Sequence, residues 1–230
     1  MESSNIQIAT RKRVAFVTIG QTPRDDIVPE LLEQVTVEVD ASEFGALDGL
    51  DAEAISALKP EHGDGTLYTR LRDGTEVKVD KRRLAARLDA MLLEIDGAGF
   101  DLIVLLCTAD FDGMRCFTPM IDAQIDIEPL AVGGRRLGVV LPTPEQILEI
   151  GGDGYRVDAL FAHFAPHAGG DRTDELIRAA DAVSSSEVVI MDCMAFNNDV
   201  RTQLQSKLKV PVVLARDLLA KKINRAIGDT

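Results

Sequence analysis

The chain has 230 residues, 46% of them hydrophobic and 27% charged, and a formal charge of −13 at pH 7. That acidity argues against a general nucleic-acid binder, which needs a basic footprint, and a chain with no Trp and only two Tyr makes a poor stacking platform for bases. No apolar run is long enough to span a bilayer and no basic-then-apolar leader opens the chain; three cysteines are too few for a disulfide framework, so a cytoplasmic, reducing setting is expected.

Residues 1–10 read as a loose tail. Residues 13–19 are predicted as a first strand, running into the loop Gly20-Gln-Thr-Pro-Arg24. Pro23 suits a first helical turn, Thr22 its N-cap, and Asp25 and Asp26 its positive end. The helix is expected to run through residues 27–34, with either a kink or a late start at Pro29. A second strand is expected over 36–39 and a short helix over 51–58. Residues 66–70 and 75–79 flank Asp73-Gly74, a strong hairpin signal. Leu84, Leu88, Met91, Leu92 and Ile95 mark one face of a helix over 80–96, ended by Gly97 and Gly99.

The apolar run at 101–106 reads as a buried parallel strand and is followed by Cys107-Thr108-Ala109-Asp110. After a glycine break near 131–134, residues 136–141 are a strand that leads into Pro142-Thr143-Pro144-Glu145 and a helix start. Residues 158–163 read as a strand or a helix end. A helix from Asp171 or Thr173 reaches about 183. The run at 187–192 is a second buried strand, followed by Cys193-Met194-Ala195-Phe196-Asn197. A helix over 198–208, a strand over 210–214 and a closing helix over 218–227 complete the chain. Alternating strands and helices give an α/β protein. Two similar lobes are expected, each with a central, mostly parallel sheet flanked by helices: residues 11–130 carrying Cys107, and 131–230 carrying Cys193, with the last helix able to pack back on the first lobe.

Ligands of open α/β sheets bind beyond the carboxyl ends of the strands, which is where both cysteines fall. Any one cysteine after a strand is more often simply packed, but two at equivalent places invite a functional reading. Facing one pocket, they would accept and donate a proton on opposite sides of one carbon. A possible helix start after each would lower its pKa. Asp192 is read as a base, an orienter or a helix cap. The Gly20–Arg24 loop offers N–H groups, a hydroxyl and the Arg24 guanidinium to an anion, or is an ordinary capped loop. Cys116 has no strand-end placement and is given a structural role. His62, His163 and His167 have no metal-ligand spacing with the cysteines, and His163 and His167 are expected as a surface pair. No nucleotide-binding or pyridoxal signature is present, and no cofactor is expected. Lys81-Arg-Arg83 reads as a solvated helix start able to reach the pocket mouth.

Thr18-Ile-Gly-Gln-Thr-Pro-Arg24, the Asp73-Gly-Thr hairpin leading into Val79-Asp-Lys-Arg-Arg83, and Met191-Asp-Cys-Met-Ala-Phe196 together resemble the AroM family. The resemblance runs from about Arg13 to the last helix. More widely the chain is similar to the aspartate/glutamate racemase superfamily, with Cys107-Thr108 as its first cysteine motif and Cys193 in the position of the second. That resemblance implies two α/β lobes with the site between them. It also implies Thr18, Gln21, Thr108 and Thr143 lining the pocket as donors to a substrate carboxylate, joined in the present reading by Arg24 and Asp192. Met194 departs from the expected threonine, and Gly20–Arg24 stands where such racemases show an Asp-Ser pair. The implied activity is a cofactor-independent racemase or epimerase acting by α-proton abstraction on a small carboxylate such as an amino acid. The alternatives are a decarboxylase or cis–trans isomerase on the same scaffold, or a non-catalytic small-acid binder. The expected partner is a small carboxylate, not nucleic acid or membrane, and a homodimer would fit.

Overall fold

The computed structural model describes residues 11–61, 65–111, 113–127, 129–150, 157–167 and 169–228; the tail at 1–10 and His62 lie outside them. Two four-stranded parallel sheets carry the fold. The first is built from β1 (Lys12–Thr18), β2 (Val39–Gly45), β5 (Leu102–Leu105) and β6 (Met120–Asp122), in the order β2-β1-β5-β6. The second is built from β7 (Leu137–Leu141), β8 (Ala159–His163), β9 (Val188–Met191) and β10 (Val212–Leu214), in the order β8-β7-β9-β10. In each sheet the first strand has the second on one side and the third, then the fourth, on the other. Cys107 follows the third strand of one sheet and Cys193 the third strand of the other, so the two positions are topologically equivalent.

Strand alternation sorts the first lobe into two layers. Val14 and Phe16 of β1, with Leu102 and Val104 of β5, face α1 (Val28–Leu32) and α7 (Ala215–Ile227). Ala15, Val17, Ile103 and Leu105 point the other way, onto Leu84, Leu88, Leu92 and Ile95 of α3 (Lys81–Ile95). The closing helix α7 thus packs its buried face on the first sheet, although it follows directly from β10 of the second. In the second lobe α5 (Thr173–Ala182) and α6 (Asn198–Gln205) share a core with Val140, Val189 and Met191.

Polar side chains set several boundaries. Asp51 accepts from Ala54 N–H at 2.8 Å and caps α2 (Ala52–Ser56), and Asp80 accepts from Arg83 N–H at 3.0 Å and caps α3. The hairpin β3 (Thr66–Arg70) and β4 (Glu76–Asp80) turns at Gly74, whose φ of +89° is open to glycine at little cost. The segment expected as a strand or a helix end is the strand β8, Ala159–His163.

Of the two outcomes expected at Pro29 the late start is the one observed, and two further boundaries change. The first helix starts late, at Val28, with Pro29 in its first turn. Thr22 does not cap it, because its hydroxyl donates to Asp48 at 2.6 Å and its N–H at 3.0 Å. The second strand is β2 at Val39–Gly45 rather than 36–39. Thr36 N–H is instead held by Asn224 of α7 at 2.8 Å, and this edge strand has too mixed a composition to show a period of two. The last helix begins at Ala215, three residues early; Arg216, a charged residue at a fully buried position, interrupts the apolar pattern that would have marked its first turn.

There Arg216 donates to Glu30 Oε2 at 2.5 Å, to the Asp26 carbonyl at 3.2 Å and to the Met194 carbonyl at 2.6 Å. Its side chain is wholly buried, while Glu30 keeps a third of its surface in water. Removing one partner of a buried pair costs about 3–5 kcal/mol, and Glu30's exposure places this site near the lower figure. Arg216→Met is therefore expected to lose about 3 kcal/mol of unfolding free energy, read as a lower urea midpoint at unchanged slope.

Candidate active site

Each lobe presents the same loop at the end of its third strand. In Cys107-Thr-Ala109 the Ala109 N–H points back to the Cys107 sulfur, and in Cys193-Met-Ala195 the Ala195 N–H does the same for Cys193. The two thiols line one cavity between the lobes. They sit close enough that charge on Cys193 disfavours ionisation of Cys107.

Burial is the largest influence on both. It pushes Cys107, 7% exposed, up to about 12, with the Cys193 and Asp192 charges adding and the Ala109 N–H and Lys81 opposing. Cys193 keeps somewhat more solvent contact and rises to about 11. Asp192 adds to its shift, and the Ala195 N–H, Arg24 and Arg216 oppose. The expected help from helix starts is missing. Cys107 leads into a non-helical stretch, and Cys193 is separated from α6, whose cap is Asn197. Asn197 therefore takes the capping role that Asp192 was also considered for.

The inner cavity is about 40 Å³, room for a few waters at most. It is continuous in its lining with an outer chamber of about 550 Å³ that shares Leu67, Thr108, Ala109, Gln146 and Asp192. Ile125, Ile127, Leu141 and Ile150 make much of the outer wall apolar, and Lys81 stands there as a cation.

Of the residues singled out from sequence, Cys107, Thr108, Arg24, Asp192 and Cys193 come together around the inner cavity. Thr18, Gln21 and Thr143 are not among its lining residues. Thr18 is 1% exposed and its hydroxyl accepts from Arg24 at 2.8 Å and from Gly20 N–H at 3.2 Å. Gln21 donates to the Leu47 carbonyl at 3.2 Å and accepts from Arg72 N–H at 3.0 Å. Thr143, 3% exposed, has its hydroxyl beside Gln146 Oε1 at 3.4 Å. These three spend their polar groups on holding loops.

Arg24 is 5% exposed and forked onto Asp26 at 2.8 and 2.9 Å, which leaves it a braced cation beside Cys193 rather than a free anion clamp. His167 is not at the surface. Its imidazole lies 3.6 Å from Asp26, with burial pushing its pKa down, whereas His163 is exposed. Cys116 packs at the margin of the first core.

Sequence reasoning missed the hairpin's part. Leu67, Tyr68, Thr69 and Arg70 of β3 line the cavity. The Asp73-Gly74 turn was visible in the sequence, but nothing local says where a hairpin docks. Gly20 makes the docking possible: a Cβ there would lie 2.5 Å from the Arg70 carbonyl. Lys78 bonds Glu145 at 2.7 Å, and Thr66 N–H bonds Glu149 at 2.9 Å, tying the hairpin to α4 (Pro144–Ile150) of the other lobe. Among the described residues, no group of three or more His, Cys, Asp or Glu is placed to hold a metal ion, and no helix is long and apolar enough to cross a membrane.

A family model described as AroM protein matches residues 14–226. No curated protein sequence matches the chain. Among solved structures, unliganded arylmalonate decarboxylase superposes with a TM-score of 0.56 at 14% identity, over 95% of this chain and 94% of that one. Glutamate racemase from Thermus thermophilus, in complex with β-chloro-D-alanine, gives a TM-score of 0.57 at 16% identity, over 94% and 80%. Allantoin racemase from Pseudomonas fluorescens gives a TM-score of 0.56 at 14% identity, over 94% and 90%. At such identities the likeness is one of fold, and it is the racemase fold.

Because only the thiolate is alkylated, the raised thiol pKa values have a direct readout. With Cys193 titrating near 11, its reaction with iodoacetamide is expected to rise about tenfold per unit from pH 7 to pH 10, without a plateau. Peptide mass spectrometry resolves it from Cys107 and Cys116; a plateau below pH 9 would mean an activated resting thiolate.

Proposed function

The chain belongs to the AroM family, and from its racemase-like scaffold we propose a cofactor-independent racemase or epimerase acting on a small carboxylate. The observation that supports it most is the pair of thiols, at equivalent strand ends of two lobes, lining one cavity. In the proposed reaction one sulfur, as thiolate, takes the hydrogen α to the carboxylate. An S–H bond forms, the C–H bond breaks, and its electron pair spreads onto the carboxylate as an enediolate. The opposite thiol then gives its proton to the other face, forming the new C–H bond and becoming the thiolate. The Arg24 charge, braced by Asp26 and lining the same cavity, would oppose the negative charge that develops. A reducing cytoplasm would keep both sulfurs free.

The same burial that keeps the thiols protonated favours a second reading, a decarboxylase. At pH 7 a thiol titrating near 11 is ionised in only about one molecule in 10⁴, so the free enzyme is set to protonate rather than to deprotonate. In a decarboxylase the bond to a departing carboxylate breaks as carbon dioxide, and a neutral thiol protonates the carbanion left behind. Its kcat/KM would stay flat with pH up to the thiol pKa, whereas thiolate-dependent racemisation would climb with pH.

Proton NMR in deuterium oxide with amino acids, hydroxy acids and dicarboxylates separates the two. Racemisation is expected to show as α-deuterium uptake with interconversion of enantiomers, the latter falling by at least about 10³-fold in Cys107→Ala and in Cys193→Ala. Interconversion surviving in either variant would overturn the two-thiol mechanism. Carbon dioxide release without interconversion would establish the decarboxylase.

A further inference from the structure

Five residues border both the inner cavity and the outer chamber: Leu67, Thr108, Ala109, Gln146 and Asp192. Thr108, Ala109 and Asp192 belong to the cysteine loops, and Leu67 of β3 is 3% exposed within the first lobe's core. Gln146 differs from them, because it stands on α4, a helix of seven residues none of which is buried. Leu148 of α4 is 83% exposed. Beneath the helix, Ile147 faces a gap of about 170 Å³ shared with Phe161 and Ala162 of β8 and Ala179 of α5. Space therefore lies on both sides of α4, the outer chamber on one and this gap on the other.

Polar ties to the hairpin hold the helix on its cavity side. Lys78 donates to Glu145 at 2.7 Å, Thr66 N–H donates to the Glu149 carboxylate at 2.9 and 3.1 Å, and the Gln146 amide donates to the Thr66 carbonyl at 3.3 Å. The Lys78–Glu145 pair is 41% exposed on each side, and an ion pair so open to water adds little. The hairpin is the better anchored partner, since Leu67 and Val79 are sunk in the first lobe's core. At its start α4 emerges from Pro142 and Thr143, both buried at the end of β7. Elements with few buried apolar contacts open at the lowest free energy, and α4 fits that description while bordering a cavity with room for a few waters at most.

We propose that α4 is a door over the thiol cavity, hinged after Pro142-Thr143, latched to the hairpin through Glu145, Gln146 and Glu149, and free to swing into the gap beneath Ile147 so that a ligand reaches the sulfurs. The door serves whichever reaction the thiols carry out, so it stands or falls apart from the racemase reading.

Iodoacetamide reports the door without a known substrate, since it must reach Cys193 to form the S–C bond as iodide leaves. Rates at Cys193 and at Cys116, outside the cavity, are measured at pH 8 and pH 10 in wild type, Lys78→Met and Glu149→Ala. If the door opens and recloses faster than alkylation, the rate follows the open population. Losing the exposed ion pair is expected to raise the Cys193 rate about twofold, and losing the hydrogen bond to a charged group about tenfold. Each factor is the same at both pH values, and the Cys116 rate stays unchanged. A Cys193 rate within about twofold of wild type in Glu149→Ala, or a rise shared by Cys116, would overturn the door. So would a factor that changes with pH, which marks a shifted thiol pKa. Hydrogen exchange of the wild-type protein needs no variant to fold. The amides of Leu148, Glu149 and Ile150 are expected to exchange at least about tenfold faster than those of β7, at a rate independent of low urea. Exchange of α4 only on global unfolding, together with β7, would also overturn it.

Discussion

A guanidinium with no contact to water holds the two halves of this protein in register. Arg216 begins the last helix, whose apolar face lies on the first sheet, and it donates to Glu30, to the Asp26 carbonyl and to the Met194 carbonyl. Glu30 and Asp26 lie in and just before α1 of the first lobe; Met194 directly follows Cys193 in the second. One side chain thus joins the first lobe, the loop that presents a thiol, and the helix that crosses between them. The Met194 side chain reinforces this by entering the first lobe's apolar cluster beside Ala215 and Leu219. A threonine at that position would offer a hydroxyl to the cavity; methionine offers packing, and the loop becomes part of the interface between lobes.

Electrostatics around the cavity are locally balanced although the chain carries a charge of −13. Arg24 and Arg216 favour ionisation of Cys193, while Asp192 disfavours it in both thiols. Asp26 accepts the Arg24 fork, and His167 leans on the same carboxylate. Burial outweighs these terms and leaves both sulfurs protonated in the free protein, so a bound substrate must change the balance if either is to act as a base. The hairpin residues that line the cavity add to that burial, since excluding water raises the cost of a thiolate.

Much of the architecture was legible because burial writes itself into sequence. Leu102–Leu105 and Val188–Met191 are continuous apolar runs because each is a central strand covered on both faces, and α3 shows its stripe because one face alone is covered. The Asp73-Gly74 turn was legible because a positive φ selects glycine. Where polar side chains decide a boundary, local pattern misleads. Thr22 looked like a cap and instead bonds Asp48, and residues 36–39 looked like a strand while Asn224 held Thr36 elsewhere. The partners lie 26 and 188 residues away along the chain, a distance no window of sequence spans.

The candidate site divides in the same way. By itself the sequence determined that two cysteines close two buried strands, each followed two residues later by alanine, because strand and loop are local properties of consecutive residues. It did not determine that the thiols share a cavity, that Arg24 is braced by Asp26, or that Thr18, Gln21 and Thr143 spend their polar groups on loops. Nor did it place Tyr68 across the cleft from its own lobe. Those outcomes depend on how two sheets and a hairpin dock. Docking is set by side chains such as Arg216, Glu149 and Gly20, whose partners are distant in the chain, and it was decided only when the tertiary structure brought them together.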